Sequence, residues 1–205
     1  MSTTTGPAGG GRTRLSPEDR RHQLLDLGIE LLATRSLDEL SIDVLAEEAG
    51  VSRGLLYHYF GSKHDFHEAV VRRAADDLIA QTAPPPGGDP VERLAASMTA
   101  YVDYVVANYA GYLSLVKGAA GGNERLRQIH DEARAVLTER IFAEDVRHEV
   151  VPDTDAAHLM VRGWSAMVED MVLTWRSDPR GVTREQLLEM IAGSLPALVG
   201  ALPTG

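Results

Sequence analysis

Residues 41–66 read SIDVLAEEAGVSRGLLYHYFGSKHDF, and this stretch decides the fold. Ser41 is a good N-cap, and a short helix follows from Ile42 to about Ala49. Gly50 ends it. Ser52 caps a second short helix that runs to about Tyr59, and Gly61 breaks that one. Two short helices joined by a tight turn need a small residue where they cross, a glycine at the turn and apolar residues between them. Ala46 and Gly50 fill the first two needs, and Leu45, Ala49, Val51, Leu56 and Tyr59 fill the third. The remaining positions of the second helix, Ser52, Arg53, Gly54, Tyr57 and His58, then face outward, on a face able to enter a major groove.

The flanks extend the same pattern. Ser16-Pro17-Glu18-Asp19 is a strong helix start, and Leu24, Leu25, Gly28, Leu31 and Leu32 recur at helical spacing to about Thr34. Ser62-Lys63-His64-Asp65 opens a fourth helix that lasts to about Gln81. Three prolines and two glycines at 84–88 cannot continue it. Asp89-Pro90-Val91-Glu92 restarts a helix to about Asn108, and a short piece follows at Ala110–Lys117, before the glycines of 118–122. Longer helices are expected at Asn123–Glu149 and Asp155–Arg176, and a last one from Thr183 to Val199, with Pro196 expected to kink it or end it early. No strand and no repeat is evident. The expected fold is all-α, with a three-helix helix-turn-helix head and a larger helical body. Residues 1–14 read as a disordered arm, 15–82 as the head, 83–89 as a Pro/Gly linker and 90–205 as the body.

Composition narrows the class. There are 205 residues and no cysteine, which excludes disulfides and thiolate metal sites. No apolar run reaches the length of a membrane span, and residues 1–14 have no apolar core of the secretory kind, so a soluble, cytoplasmic protein is expected. The net charge of -10 argues against a nonspecific nucleic-acid coat. Residues 12–82 alone hold 9 Lys/Arg against 13 Asp/Glu. From Gly50 to His64, however, there are Arg53 and Lys63 and no acid, so positive potential is local there.

The ordered set of A-x-x-A-G-V-S at the turn, L-Y-x-Y-F at the end of the second helix and G-S-K at the next helix start resembles the DNA-binding signature of the TetR family. The signature spans residues 41–66, and with the first helix the resemblance extends to about residue 80. It implies a double-stranded DNA operator as partner, contacted by Ser41, Ser52, Arg53, Gly54, Leu55, Tyr57, His58, Tyr59 and Lys63. Ser41, Tyr57, Tyr59 and Lys63 would hold phosphates, with the match best for Tyr57 and Lys63. Arg53 and His58 would read base edges, and Gly54 would permit close approach. Leu55 departs from the Thr or Ser common there. Either a hydroxyl contact is missing or Leu55 meets a thymine methyl. Arg12, Arg14, Arg20 and Arg21 either reach DNA or form a solvated basic segment. The three serines are helix caps before they are anything else.

The resemblance further implies an effector cavity in the body, a homodimer built by the last two helices, a small-molecule effector and no cofactor. An apolar face at Leu159, Met160, Gly163, Trp164, Met167, Val168, Met171 and Val172, with Leu187, Leu188, Ile191, Leu195, Leu198 and Val199, suits a four-helix bundle across a two-fold axis. Met98, Tyr101, Tyr104, Tyr112, Leu115, Leu126, His130, Arg134 and Trp164 are the candidate cavity residues, since adaptable Met and aromatic walls suit a small apolar or amphipathic ligand. His130 and Arg134, at i and i+4, either anchor an anionic group or form a solvated face.

Short motifs of two other classes also occur. Ser114-Leu115-Val116-Lys117 matches S-x-x-K, but neither S-D-N nor K-T-G appears, so an enzyme is not expected. His64 and His67 are at i and i+3 without an evident third ligand, so no metal is expected. A ligand-binding or scaffold dimer whose head has lost DNA binding remains the alternative, on the strength of the acidic head and Leu55.

Overall fold

The computed structural model describes residues 16–145, 147 and 150–202. The expected arm at 1–14 lies outside them, as do Arg12 and Arg14. Among the described residues there are nine helices and no strand: α1 (Pro17–Leu32), α2 (Ile42–Ala49), α3 (Arg53–Phe60), α4 (Lys63–Gln81), α5 (Pro90–Ala107), α6 (Tyr109–Ala120), α7 (Glu124–Glu144), α8 (Asp155–Ser177) and α9 (Arg184–Val199).

Local chemistry sets most boundaries. The side chains of Ser16, Ser41, Ser52, Ser62, Asn123, Thr154 and Thr183 each accept a bond from a backbone amide in the first turn that follows. Thr183 and Gln186 close a reciprocal capping box. At the end of α2, Gly50 adopts φ 63°, Val51 N–H reaches the Ala46 carbonyl and Gly50 N–H reaches Glu47. That is a Schellman cap, which favours glycine because the left-handed backbone penalises a Cβ.

Two apolar cores are present. The first joins α1 to α4 through Leu24, Leu45, Leu56, Phe60, Phe66 and Val70, and takes Leu126, Ile129 and Ala133 from α7. The second joins α5, α8 and α9 through Val102, Val105, Val161, Trp164, Val168, Val172, Ile191 and Leu195. Helix α7 thus packs on both head and body. Helix α6 packs on α7 and meets α1, and α4 packs on both α1 and α7.

Two helix ends are corrected. Helix α7 ends at Glu144, not near 149: the Asp145 carboxylate accepts the amides of Val150 and Val151 at 2.8 and 2.9 Å and folds the chain into a turn. Helix α6 runs through Gly118 to Ala120, because a Cβ at 118 would stand 2.5 Å from Leu126 Cδ1 and only glycine fits that contact. Helix α9 runs to Val199, as expected, and Pro196 lies inside it without ending it. The proline removes a single hydrogen bond, to the carbonyl of Ala192, which is an exposed residue.

Candidate functional site

The head presents α3 to solvent. Leu56 and Phe60 are buried and fix the helix on the core, while Ser52, Arg53, Gly54, Tyr57 and His58 are exposed. Tyr57 is 50% exposed, a large value for an aromatic side chain. Lys63 is exposed at the first position of α4. A Cβ on Gly54 would meet little but the Ser52 hydroxyl at 4.0 Å, so this part of α3 is open to approach. Tyr59 packs its ring partly into the head core and meets the His58 ring edge-on at 5.7 Å. Leu55 is half-buried, and Ser41 and Ser52 use their hydroxyls as caps toward Val44 and Leu55.

Three basic groups are already engaged. Arg53 pairs with Asp43 of α2, although the segment from Gly50 to His64 has no acid of its own. Sequence proximity hides this pair, since ten positions separate the partners. Arg21 lies over the Phe60 ring at 5.4 Å, and Arg20 donates to Gln23 at 2.6 Å.

The second feature is an elongated cavity of about 120 Å³ in the body. Its walls come from α1 (Ile29, Leu32), α4 (Val71, Ala74, Leu78), α5 (Met98, Tyr101), α6 (Tyr112, Leu115), α7 (His130 to Glu144) and α8 (Trp164, Val168, Glu169). Fourteen helical steps from His130 to Glu144 span about 21 Å. Lining residues along that whole stretch make it an elongated slot. Near Glu144, Arg93 pairs with that carboxylate and also donates to the Pro85 carbonyl, while Arg140 donates to the carbonyl of Ile79 at 2.9 Å.

A second polar cluster lies toward the His130 end of the wall. Glu169 of α8 accepts from Tyr112 at 2.7 Å, from His130 Nε2 at 2.8 Å and from Arg134. Tyr112 spends its one proton on Glu169, so Tyr101 must donate the 2.9 Å bond between the two hydroxyls. Burial pushes the Glu169 pKa up, but the hydrogen bond and charge of His130, the Tyr112 bond and the Arg134 charge outweigh it and hold the carboxyl below its ordinary value. Burial, with the nearby Glu169 charge, pushes both tyrosines up, so they stay protonated donors.

Residues 24–70 match the family model described as bacterial regulatory proteins, tetR family. Residues 90–195, more than half the chain, match the tetracyclin repressor-like C-terminal domain. The chain belongs to the TetR family. TetR-family proteins are DNA-binding transcriptional regulators with a helix-turn-helix head and a helical body, and this chain has that architecture. A solved TetR-family transcriptional regulator from Streptomyces coelicolor superposes with a TM-score of 0.80 at 32% identity, covering 91% of this chain and 83% of that one. The HTH-type transcriptional activator FasR of Mycolicibacterium smegmatis is 26% identical over 187 residues, 89% of this chain and 85% of that protein. The HTH-type transcriptional regulator BetI of Vibrio campbellii is 24% identical over 176 residues, 83% and 87% of the two chains.

Of the candidate cavity residues, Met98, Tyr101, Tyr104, Tyr112, Leu115, His130, Arg134 and Trp164 line the slot. Leu126 does not. It is buried on the head side of α7, against Gly118 and the first core. His130 and Arg134 do not form a solvated face, because Glu169 reaches across from α8 and holds both. Glu169 went unread among the candidates, yet a helical wheel carries the signal. Position 169 falls beside Val161, Ser165 and Val168 on the inner side of α8, whereas Asp170 next to it is exposed. Among the described residues no cluster of His, Cys, Asp or Glu stands ready for a metal, and no helix is long and apolar enough to cross a membrane.

Helices α8 and α9 also carry an uncovered apolar strip. Leu159 is 75% exposed and Met190 52%, with Met167 and Leu198 also exposed. Gly163 and Gly193 face open space. Trp164, Val168 and Val172 turn the other way, into the body core, and the Trp164 indole donates to Ser194 at 2.8 Å to tie α8 to α9.

Proposed function

We propose that this chain works as a homodimer, joined through the α8/α9 strip, that binds a two-fold operator with its α3 helices and is released by an apolar or amphipathic small molecule filling the slot. Tyr57 and Lys63 hold phosphates, and Arg53 and His58 read base edges once Arg53 leaves Asp43. The observation that carries the release step is the shared wall. Ile29 and Leu32 of the head and Val71, Ala74, Ala75 and Leu78 of α4 all line the slot, so an occupant touches the elements that aim α3. A ligand that binds better to the head spacing that misfits DNA shifts the population off the operator. Repression follows where the operator overlaps a promoter.

The test is fluorescence anisotropy on DNA from the upstream intergenic region of its own gene, at two salt concentrations. Tight, salt-sensitive binding that saturates at one or two dimers and is lost in the Tyr57→Ala/Lys63→Ala variant is the expected result. The Arg53–Asp43 pair favours one second reading, a ligand-binding dimer whose head no longer binds DNA. Binding no tighter than to an unrelated fragment, with the dimer intact, supports that reading against autoregulation.

A further inference from the structure

His67 of α4 makes a contact that neither the slot nor the outer face of α3 uses. Its Nε2 stands 2.5 Å from the carbonyl oxygen of Leu40. A carbonyl only accepts, so Nε2 carries the hydrogen and donates it. Leu40 is fully buried, and among the described residues no backbone amide donates to that carbonyl. A buried carbonyl without a partner is costly, so the imidazole settles where the chain runs at this point. Leu40 is the residue before Ser41, the N-cap of α2. His67 therefore fixes the peptide on which α2 begins.

Both ends of this bond adjoin groups read as phosphate contacts. Lys63 precedes His67 by one helical turn on α4, at i and i+4. Ser41 follows Leu40 directly. Its hydroxyl accepts from the Val44 amide at 3.1 Å, and its own proton is not spent on any described residue, so a phosphate oxygen can take it. Helix α2 packs on α1 and α3, and α3 packs on α4, so the path from α4 to Ser41 through packed helices is indirect. The bond from His67 to Leu40 is the short path. Phosphate contacts set the register of a protein on the duplex. Two of them held at a fixed spacing meet the backbone together. A loose pair must be ordered on binding, and affinity falls with the fraction of molecules that hold the right spacing.

We propose that His67 is a positioning residue for DNA binding: through the Leu40 carbonyl it sets the spacing between Ser41 and Lys63, so that both meet the phosphate backbone at once. The proposal rests on the reading of Ser41 and Lys63 as phosphate contacts, and names the residue that spaces them.

Duplexes that the unaltered chain selects from a random pool serve as the operator, with scrambled duplexes beside them, and anisotropy gives the affinities. His67→Leu removes the donor, and His67→Gln offers an amide N–H at similar reach. His67→Leu is expected to weaken binding about two- to tenfold, as for one lost hydrogen bond. The factor should be the same on operator and scrambled duplexes, because phosphates carry no sequence. His67→Gln is expected to restore binding. In a Lys63→Ala background no second contact remains to be spaced, and His67→Leu is expected to cost less than about twofold. Urea unfolding certifies the fold of each variant. The unaltered chain gives a test that does not depend on the leucine variant folding. Imidazole nitrogen NMR shifts at pH 8, above the ordinary range of the ring, are expected to place the hydrogen of His67 on Nε2, the signal being assigned by its loss in His67→Gln. Hydrogen on Nδ1, unchanged binding by a folded His67→Leu protein, a loss confined to the operator, or a full cost that persists in the Lys63→Ala background each overturns the proposal and leaves Lys63 a phosphate contact. Lys63→Ala without effect on any duplex overturns the phosphate reading and the proposal with it.

Discussion

Gly111 of α6 lies so close to Leu32 of α1 that a Cβ at 111 would stand 2.9 Å from the Leu32 carbonyl oxygen and 2.8 Å from its Cβ. The carbonyl belongs to backbone and cannot swing aside. Three residues on, Ser114 Oγ accepts the Leu37 amide at 3.2 Å. Between them, Tyr112 reaches the other way, to Glu169. Helix α6 therefore holds the head with one side and the polar cluster of the slot with the other.

Gly111→Ala is expected to lower stability by about 1–3 kcal/mol, because overpacking against backbone outweighs the helix propensity gained, about 1 kcal/mol. Urea unfolding measures it. A rise in the midpoint at unchanged slope would show that the contact is soft and that α6 is not wedged on the head.

The basic groups of the head are expected to separate by readout. Lys63→Ala should weaken binding to every DNA sequence alike and reduce the salt slope by about 1, as for one lost phosphate contact. Arg53→Ala should cost about 1–3 kcal/mol on the operator and relax its sequence preference, as for a base contact. Asp43→Asn should strengthen operator binding, since Arg53 no longer leaves an internal partner to reach DNA. Anisotropy titrations against operator and scrambled duplexes separate the three. An Asp43→Asn protein that binds no tighter would mean that the exposed pair costs nothing to break, as many surface pairs do.

The head was legible because its signals are local. Ser41, Gly50, Ser52, Gly61 and Ser62 each fix a boundary within four residues of themselves, and the structure uses every one. The body was legible only as helices. Glu169 is the clearest case of what sequence order conceals: its meaning depends on His130 and Arg134, which lie 39 and 35 positions away on another helix. Leu126 misled for the mirror reason. It has the composition of a cavity wall, but Gly118 brings α6 down on it and closes that end of α7. Asp43 and Arg53 are near in sequence, yet a count of charges between Gly50 and His64 passes over their pairing.

The strip on α8 and α9 is expected to be the dimer seam. Leu159, Gly163 and Met167 follow one another at i, i+4 and i+8, and Met190 and Gly193 stand exposed on α9. Met167→Glu with Met190→Glu places two charges per chain in the proposed four-helix contact, on exposed positions outside the body core. Sedimentation velocity should then show folded monomers, and operator affinity should collapse because one head reaches only one half-site. A dimer that survives both changes would move the seam elsewhere on the body.

Glu169 also leaves a mark on acid stability. Its carboxyl is held below the ordinary value of 4.5, burial being outweighed by His130, Tyr112 and Arg134. A folded pKa below the unfolded one means that the unfolded chain binds the proton more readily, so this group contributes stability above the unfolded value and loses it as pH falls through the folded value. Asp65, Glu132, Glu39 and Glu185 are lowered too, so the unaltered chain alone does not isolate one residue. The difference from Glu169→Gln does, because the other four are common to both proteins. At pH 7 the variant is expected to be less stable by about 1–3 kcal/mol, as charge-assisted bonds to Arg134 and His130 become ordinary ones. That gap should shrink as pH drops below about 4.5, where the unfolded chain takes the proton first, and should go on shrinking until pH has passed through the lower native value. Urea midpoints from pH 6 to pH 3 measure it. A gap that stays constant across the range would mean that the cluster does not hold an ionised carboxylate.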